Sequence, residues 1–309
     1  MKKLFVFILA LISSGIIFAQ QDPQFSHYMF STLSYNPAVA GSSGNVNLGL
    51  VSRQQWVKFE GAPQTTLLSA DLPVSIGTQD FGVGIFMLDD RYAFIRDFQM
   101  KLALSYKIEL GAGRLDIGIN SGLFSKEFNP EWKFPDQTEE LFGKNNSMIF
   151  DMDFGLFYTY DNLYVGLSST HILNPNFNIR SDNGQTFNLG LVRHFYLTSA
   201  YNISIPGSLF DITPSFLLKS DGNIFQFDFN LNLLYNKKFW SGVSYRNNES
   251  VILFVGTSYF NDIKIGFSYD VLINTINRVS NGTFEIYLGY NFSLIKMQKP
   301  QHYHNVKTL

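Results

Sequence analysis

The 309-residue sequence contains no cysteine, which excludes a disulfide framework, a thiolate metal site and a cysteine nucleophile. Only five histidines are present, and two of them, His302 and His304, lie in a polar tail. Charged residues make up 16% of the chain, the formal net charge is −2, and no stretch is strongly basic. A nucleic-acid partner is therefore not expected. The sequence also has no Gly-rich phosphate loop and no dinucleotide fingerprint, so we predict no cofactor, no metal site and no catalytic residues.

After its first 19 residues, the sequence contains no apolar run long enough for a membrane-spanning helix, which needs about 20 residues. Residues 1–19 have the pattern of a secretory signal peptide. Two lysines precede the apolar run 4–12, and Ala19 ends a small-residue cleavage site. A retained membrane anchor is the alternative, and the polar residues that interrupt the apolar run disfavour it.

Aromatic residues are abundant, with 31 phenylalanines and 16 tyrosines. Many recur with a period of two: Phe225, Phe227 and Phe229 alternate with Gln226 and Asp228. Such alternation predicts a strand with one apolar and one polar face. The same pattern is present at 116–124, 153–160, 263–270 and 284–294. An exported, aromatic-rich chain of such strands indicates the outer membrane of a Gram-negative cell.

Alternating strands occur both in soluble β-sandwiches and in membrane barrels, and three features favour the barrel. The predicted strands run for about 10–12 residues, roughly the length that a tilted strand needs to cross a bilayer. Short connections alternate with long polar ones, as they do in outer-membrane barrels. Aromatic residues gather near the strand ends, where the membrane interface would lie. We therefore predict an all-β fold, a transmembrane antiparallel β-barrel of about 14 strands.

The predicted strands are 45–58, 63–72, 80–88, 97–109, 113–127, 147–160, 162–170, 193–205, 209–219, 223–235, 238–247, 250–260, 262–270 and 283–294. The count depends on whether 184–205 is one long strand or a loop followed by a strand. The predicted organisation is a signal peptide at 1–19, an N-terminal plug or periplasmic segment at 20–44, the barrel at 45–294 and a periplasmic tail at 295–309.

The segment ahead of the first strand is rich in aromatic residues but has no clear period. A disordered leader would contain fewer apolar residues. We therefore predict that 20–44 folds inside the barrel or at its periplasmic mouth, as a plug or as a docking strap for periplasmic machinery. The alternative is a leader that packs on the rim for stability alone. The predicted contact residues are Phe25, Tyr28, Asn36 and Pro37.

Motifs along nearly the whole chain resemble, in order, the PorP/SprF family of type IX secretion-associated outer-membrane proteins. They are Asp22-Pro23, Phe25-Ser26, Tyr28-Met29, Asn36-Pro37-Ala38, Ala40-Gly41, Arg53, Gln55-Trp56, Gly61-Ala62-Pro63 with Thr65, and the blocks 214–219, 239–246, 266–270 and 281–292. One departure is Phe284-Glu285, where the family commonly has His-Glu. The resemblance implies a barrel of the type IX system of gliding and protein-secreting bacteria. Some members belong to the secretion and motility apparatus, and others handle large adhesins that stay on the cell surface.

The stretch 53–65 combines cations, aromatic residues and a Gly-Ala-Pro turn. We predict that strand 45–58 turns Arg53, Gln55 and Val57 toward the lumen, because a lipid-facing cation near the midplane costs about 2–4 kcal/mol. Trp56 would then lie near the outer interface, beside a tight surface turn. The functional interpretation is a surface knob that binds a partner, and the alternative is an aromatic anchor with a hairpin turn. The residues of this predicted knob are Arg53, Trp56, Phe59, Gly61 and Pro63.

The long loop 127–147 is a second predicted partner-binding surface, with Trp132 and Phe134 as aromatic anchors among charged residues. The alternative is a loop folded over the barrel mouth. Asp151 and Asp153 share one face of a strand, and we expect them to be solvated or paired with Arg or Lys rather than to bind a metal cation such as calcium.

The sequence favours a non-enzymatic function. We expect the protein to bind and localise or anchor a secreted surface protein with a type IX sorting domain, in contact with outer-membrane lipid and with periplasmic type IX machinery as a further partner. A channel for small solutes is the alternative. An outer-membrane enzyme is a third hypothesis, which would require a serine and an acid converging on His171 or His194.

Overall fold

The computed structural model describes residues 22–129, 144–180, 186–259 and 262–293. The predictions for the signal peptide 1–19, the tail 295–309, and Trp132 and Phe134 lie outside the described residues. Across those ranges, no helix is both long enough and apolar enough to cross a membrane.

Fourteen antiparallel strands close into a barrel, in which each strand pairs with its neighbours and β1 pairs with the last strand. The predicted fold is thereby confirmed. The barrel strands are β1 (Val46–Gln54), β2 (Gln64–Ile76), β3 (Gln79–Tyr92), β4 (Ile95–Leu110), β5 (Gly113–Phe128), β6 (Asn145–Tyr160), β7 (Leu163–Thr170), β10 (His194–Tyr201), β12 (Phe210–Ser220), β13 (Phe225–Tyr235), β14 (Phe239–Arg246), β15 (Ser250–Tyr259), β16 (Ile263–Leu272) and β17 (Thr283–Phe292).

Three short strands lie beside this closed set. β8 (Asn176–Arg180) and β9 (Thr186–Gly190) form a separate hairpin, and β11 (Ile203–Ser204) pairs with β12. The hairpin shows that 184–205 is a loop element followed by a strand. It lies over the barrel, because Phe177 of β8 packs edge-on against Phe124 at a centroid distance of 5.2 Å.

The period-two pattern decides which side chains face the lipid. On β17, Phe284, Ile286 and Leu288 are exposed, whereas Glu285 and Tyr287 between them are buried. The exposed apolar side chains therefore form the outer surface of the barrel, where lipid satisfies them, and the polar side chains point into the lumen.

The two ends of the barrel differ in the length of their connections. One end has tight turns at 77–78, 111–112, 161–162 and 236–238, and the other carries the longer connections 129–144, 171–193 and 273–282. Outer-membrane barrels place short turns in the periplasm and long loops outside. The ends are accordingly called the periplasmic end and the surface end.

The first strand is shorter than predicted, so Arg53, Gln55 and Val57 do not share one strand face, although Arg53 and Gln55 both line a cavity of the upper lumen. β1 ends at Gln54, and Trp56 and Lys58 adopt positive φ angles of 45° and 73°. The strand stops because its backbone partners change: Val57 N–H donates to Gly282 O at 2.9 Å, in the loop that precedes β17. Trp56 therefore belongs to a surface loop.

The third strand is longer than predicted. Asp89, Asp90 and Arg91 belong to β3, not to a loop, and a two-residue turn connects β3 to β4. Asp90 faces inward, and the lumen accommodates its carboxylate because the Thr65 hydroxyl on β2 donates a hydrogen bond to it at 2.7 Å.

Candidate functional site

The lumen is filled by residues 22–44, the N-terminal segment. It contains short 3-10 helices at Tyr28–Phe30, Thr32–Ser34 and Pro37–Val39. The Asn36 side chain caps the last of these by accepting from Ala38 N–H at 3.0 Å. Such compact turns satisfy the backbone locally, which a segment enclosed by a barrel wall requires.

The N-terminal segment passes from one end of the lumen to the other. Its first described residue, Asp22, lies at the surface end, where Lys219 Nζ donates to Asp22 O at 2.6 Å. Its last turn lies near the periplasmic end, where Gly41 N–H donates to Asp71 Oδ1 at 2.8 Å. The leading end of the segment therefore faces the cell exterior, and the chain descends through the lumen before β1 begins.

Glycines of the barrel wall leave room for the lower half of this segment. A Cβ atom on Gly82 would lie 1.7 Å from Ala40 O, and one on Gly118 would lie 2.3 Å from Ala38 N. A Cβ atom on Gly155 would lie 2.1 Å from Asn36 Oδ1. The wall therefore approaches the backbone of the segment at Gly82 and Gly118 and the Asn36 side chain at Gly155, and any larger residue would clash at these three positions.

The four residues predicted as plug or docking contacts are all buried against the wall. Phe25 packs in an apolar cluster with Val51, Leu67 and Phe86. The Tyr28 hydroxyl is 2.6 Å from Ser215 Oγ, and Asn36 Nδ2 donates to Leu156 O at 3.1 Å. Pro37 follows Asn36 at the start of the last 3-10 helix.

A buried charge cluster holds the upper half of the segment. Glu285 accepts hydrogen bonds from Ser26 N–H and His27 N–H, each at 2.8 Å, and its Oε1 lies 2.8 Å from His27 Nδ1. Arg53 bridges Glu285 at 3.2 Å and Asp270 at 2.8 Å. Arg53 thus faces the lumen as predicted. There its guanidinium pairs with two buried carboxylates and donates to Ser26 Oγ at 2.7 Å.

Arg246 extends this cluster toward the rim. Its guanidinium binds Asp228 at 3.0 Å, reaches Glu249 at 3.3 Å, and donates to Phe25 O at 3.1 Å. The last bond fixes the backbone of the N-terminal segment directly to the wall. Charge-assisted bonds of this kind are the stronger hydrogen bonds of proteins.

A second buried polar cluster lies across the lumen. Lys101 Nζ lies 2.6 Å from Asp151 and 2.8 Å from Asp153. These carboxylates are therefore paired with a lysine, as expected from the sequence. His171 lies 2.5 Å from Asp151 through Nδ1 and 2.9 Å from Asp22 through Nε2, which joins the cluster to the leading end of the segment.

The local charges control the ionisation of this leading end. Burial works to raise the pKa of Asp22, but the nearby His171 and His194 outweigh it and hold that pKa well below its usual range. Burial works to lower the pKa of His171, but the Asp22 charge and the Asp151 hydrogen bond outweigh it and raise that pKa to about 10. At neutral pH the two groups form an ion pair.

A large cavity, the vestibule, opens at the surface end above the N-terminal segment. This vestibule has a volume of about 370 Å³ and is lined by residues of the surface loops and upper lumen. Its floor includes Asp22, Pro23 and Gln24, and its wall includes Arg53, Trp56, Pro63, Arg246 and Glu249. A smaller cavity of about 100 Å³ lies at the periplasmic end and shares no lining residue with the vestibule.

Residues 17–290 match the family described as Type IX secretion system membrane protein PorP/SprF. The chain belongs to the PorP/SprF family. It is thus a type IX secretion membrane protein of the outer membrane, and membership implies association with the secretion machinery. No curated protein matches the sequence.

Solved structures share the barrel of this PorP/SprF protein. The toluene transporter TbuX of Ralstonia pickettii superposes with a TM-score of 0.54 at 10% identity, covering 85% of this chain and 93% of that chain. A deltaS2 mutant of the monoaromatic hydrocarbon channel TodX superposes with a TM-score of 0.53 at 12% identity, covering 86% and 94%. At such identities the likeness shows the fold alone. The family is one of type IX secretion membrane proteins, and the shared fold is an outer-membrane β-barrel.

The structure brings only part of the predicted knob together. Arg53, Trp56 and Pro63 line the vestibule, while Phe59 stands at the rim with its ring 6.2 Å from that of Trp56. Gly61 lies outside the vestibule and packs near Ala93, the turn that connects β3 and β4.

Sequence reasoning missed His27 as a residue through which the N-terminal segment binds the wall, and Arg246 and Lys219 as wall residues that bind the segment. The signal that marks Arg246 and Lys219 is a charged residue on the polar face of an alternating strand. Such a residue lies in the lumen and needs a partner there. Within the described ranges, no serine hydroxyl hydrogen-bonds to His171 or His194, so the convergence that the enzyme hypothesis requires is not found there.

Proposed function

We propose that this PorP/SprF protein binds a secreted surface protein with a type IX sorting domain at the vestibule and thereby localises or anchors it on the cell surface. The observation that carries the proposal is the position of the vestibule. It opens at the surface end and is closed below by the N-terminal segment. The vestibule has a volume of about 370 Å³, within the range of about 300–1,000 Å³ that is usual for small-ligand pockets. That volume accommodates a few residues, such as a chain terminus or the tip of a loop.

The chemistry of the vestibule suits a polypeptide partner. Trp56 offers an amphipathic ring, and tryptophan is enriched among residues that dominate protein interfaces. Beneath it, Arg53 and Arg246 bring guanidinium groups that are held in place by buried carboxylates. We infer that an aromatic rim over fixed polar groups binds an extended segment of the partner, while its folded part rests on the surface loops.

The filled lumen supports binding over conduction as the function. A solute channel needs a continuous passage, whereas residues 22–44 pack against the wall between the two cavities. We infer that this segment acts as a plug, with Phe25, Tyr28, Asn36 and Pro37 as its wall contacts. The functions of TbuX and TodX belong to those proteins and do not carry over through the shared fold.

Replacing both rim aromatics by alanine, Trp56→Ala with Phe59→Ala, tests the proposal. We expect a folded barrel that loses most of the secreted partner from the cell surface, because Trp56 lines the vestibule and Phe59 packs on it. The measurement is mild-detergent capture of the tagged barrel from its native membrane, with mass spectrometry and surface labelling of the captured protein.

The matched control is Phe94→Ala, since Phe94 is 42% exposed at the same end but does not line the vestibule. The control is expected to retain the partner. Normal display of the partner by the double variant would contradict the vestibule as its binding site. Recovery of periplasmic machinery alone from the unaltered barrel would contradict anchoring itself.

A further inference from the structure

The leading end of the N-terminal segment lies beside two histidines of the barrel wall. Asp22 is at the start of the described chain, His171 follows β7, and His194 begins β10. One ligand atom from each of these residues lies within 4.8 Å of the others. We propose that Asp22, His171 and His194 form a Zn²⁺ site that fastens the leading end of the segment to the barrel wall.

The geometry is close to that of a tetrahedral zinc centre. Bonds of about 2.0–2.1 Å place two ligand atoms about 3.3 Å apart. Asp22 Oδ1 lies 2.9 Å from His171 Nε2, and Asp22 Oδ2 lies 3.6 Å from His194 Nδ1. Asp22 faces the two histidines through different oxygens, and the three ligand atoms lie within 4.8 Å of one another, so side-chain adjustments bring them onto one ion.

His194 is the observation that points to a ligand. Its side chain is only 3% exposed, yet neither ring nitrogen has a hydrogen-bond partner. Buried polar groups in proteins are nearly always satisfied by a partner, by water or by an ion. Neutral imidazole is a good ligand for zinc, so a metal satisfies the ring directly.

The groups behind the ligands are arranged as in known zinc sites. Asp151 accepts from His171 Nδ1–H at 2.5 Å, so Nε2 is the nitrogen directed at Asp22, and it gives up its proton when the metal binds. Thr170 and Tyr196 each donate a hydroxyl to Asp22 Oδ2 at 3.0 Å. Histidine ligands held by a carboxylate, and carboxylate ligands held by hydrogen bonds, are the usual second layer around a bound metal.

Two lysines next to the proposed site bind groups other than its three ligand atoms. Asp151, Asp153 and His171 also lie close together, but the Lys101 ammonium already pairs with both carboxylates. Lys219 donates to the main-chain oxygen of Asp22 rather than pairing with its carboxylate. The Asp22 trio also borders a cavity of about 30 Å³, enough for a water as the fourth ligand, because a single water needs about 10–15 Å³.

The test is a zinc titration of the full chain carrying His302→Ala and His304→Ala, so that the tail histidines cannot bind metal. The detergent-solubilised barrel, purified through a histidine-free tag and stripped with a chelator, is titrated with Zn²⁺ against a chromophoric competitor. We expect one Zn²⁺ per chain. Changes behind the ligands of a metal site already weaken binding about 10–100-fold, so His194→Ala is expected to weaken it at least 100-fold.

Two further variants keep the result interpretable. Asp22→Asn removes the carboxylate ligand and is expected to match His194→Ala, while Asp211→Asn, at the periplasmic end of β12, is expected to bind Zn²⁺ normally. Strand content by circular dichroism identifies any variant that fails to fold. Co²⁺ in the same site is expected to give the visible absorption of a tetrahedral centre. Absence of Zn²⁺ binding in the background chain, or unchanged affinity in a folded His194→Ala barrel, would overturn the proposal.

Discussion

Gly118→Leu is expected to unseat the N-terminal segment and to make the barrel conduct. A Cβ atom on Gly118 would lie 2.3 Å from Ala38 N and 2.5 Å from Ala38 Cα, so the clash is with backbone rather than with a flexible side chain. Both sides of the clash are held by backbone hydrogen bonds, β5 to its two neighbouring strands and the 3-10 turn at Pro37–Val39 within itself. The segment must leave its seat, and an open lumen is then expected between the vestibule and the periplasmic cavity.

The measurement is single-channel conductance in planar bilayers, together with swelling of liposomes in small sugars. We expect the unaltered barrel to stay closed and Gly118→Leu to conduct ions and admit the sugars. Gly49→Leu is the matched control, because its Cβ would meet only side-chain atoms, the Ser69 hydroxyl at 2.8 Å and the Tyr287 ring at 3.9 Å, and Gly49 borders the periplasmic cavity. Closed channels in a folded Gly118→Leu barrel would show that residues 36–41 do not seal the lumen.

Strand positions were predictable because the signal for them is local. In β13 and β17 every second residue is apolar, and the structure confirms that these residues face outward. The prediction lost accuracy where partners change, as at Gln54, beyond which the backbone bonds to residues 281–283 instead of to β2. This change of hydrogen-bond partners depends on a loop far away in the sequence, and the local alternation of apolar and polar residues carries no information about that loop.

The contacts of the N-terminal segment were not predictable in the same way. His27 and its partner Glu285 are 258 residues apart, and they meet only because the barrel closes between β1 and β17. The composition of 20–44 indicated that it folds, and the family resemblance marked its motifs. Its direction through the lumen and its glycine seats on β3, β5 and β6 follow from the closed barrel.

Glu285→Gln is expected to cause the largest loss of stability among the lumenal charge changes. The variant leaves Arg53 with Asp270 alone and weakens the bonds from Ser26 N–H and His27 N–H, in a site where Glu285 is fully buried. Removing one partner of a buried charge network costs about 3–5 kcal/mol, because the remaining charge is left without compensation. The measurement is equilibrium urea unfolding of the barrel in detergent or lipid.

The matched control is Glu127→Gln, which breaks the pair between Glu127 and Lys144, whose side chains are 27% and 67% exposed. Exposed pairs contribute about 0–1 kcal/mol, so the control is expected to unfold close to the unaltered barrel. The comparison separates the effect of burial from that of the chemical change, since both variants replace one carboxylate by an amide. Equal unfolding midpoints for the two variants would mean that the Glu285 network does not hold the N-terminal segment. The bonds of Arg246 to Asp228 and Phe25 would then be the ones that do.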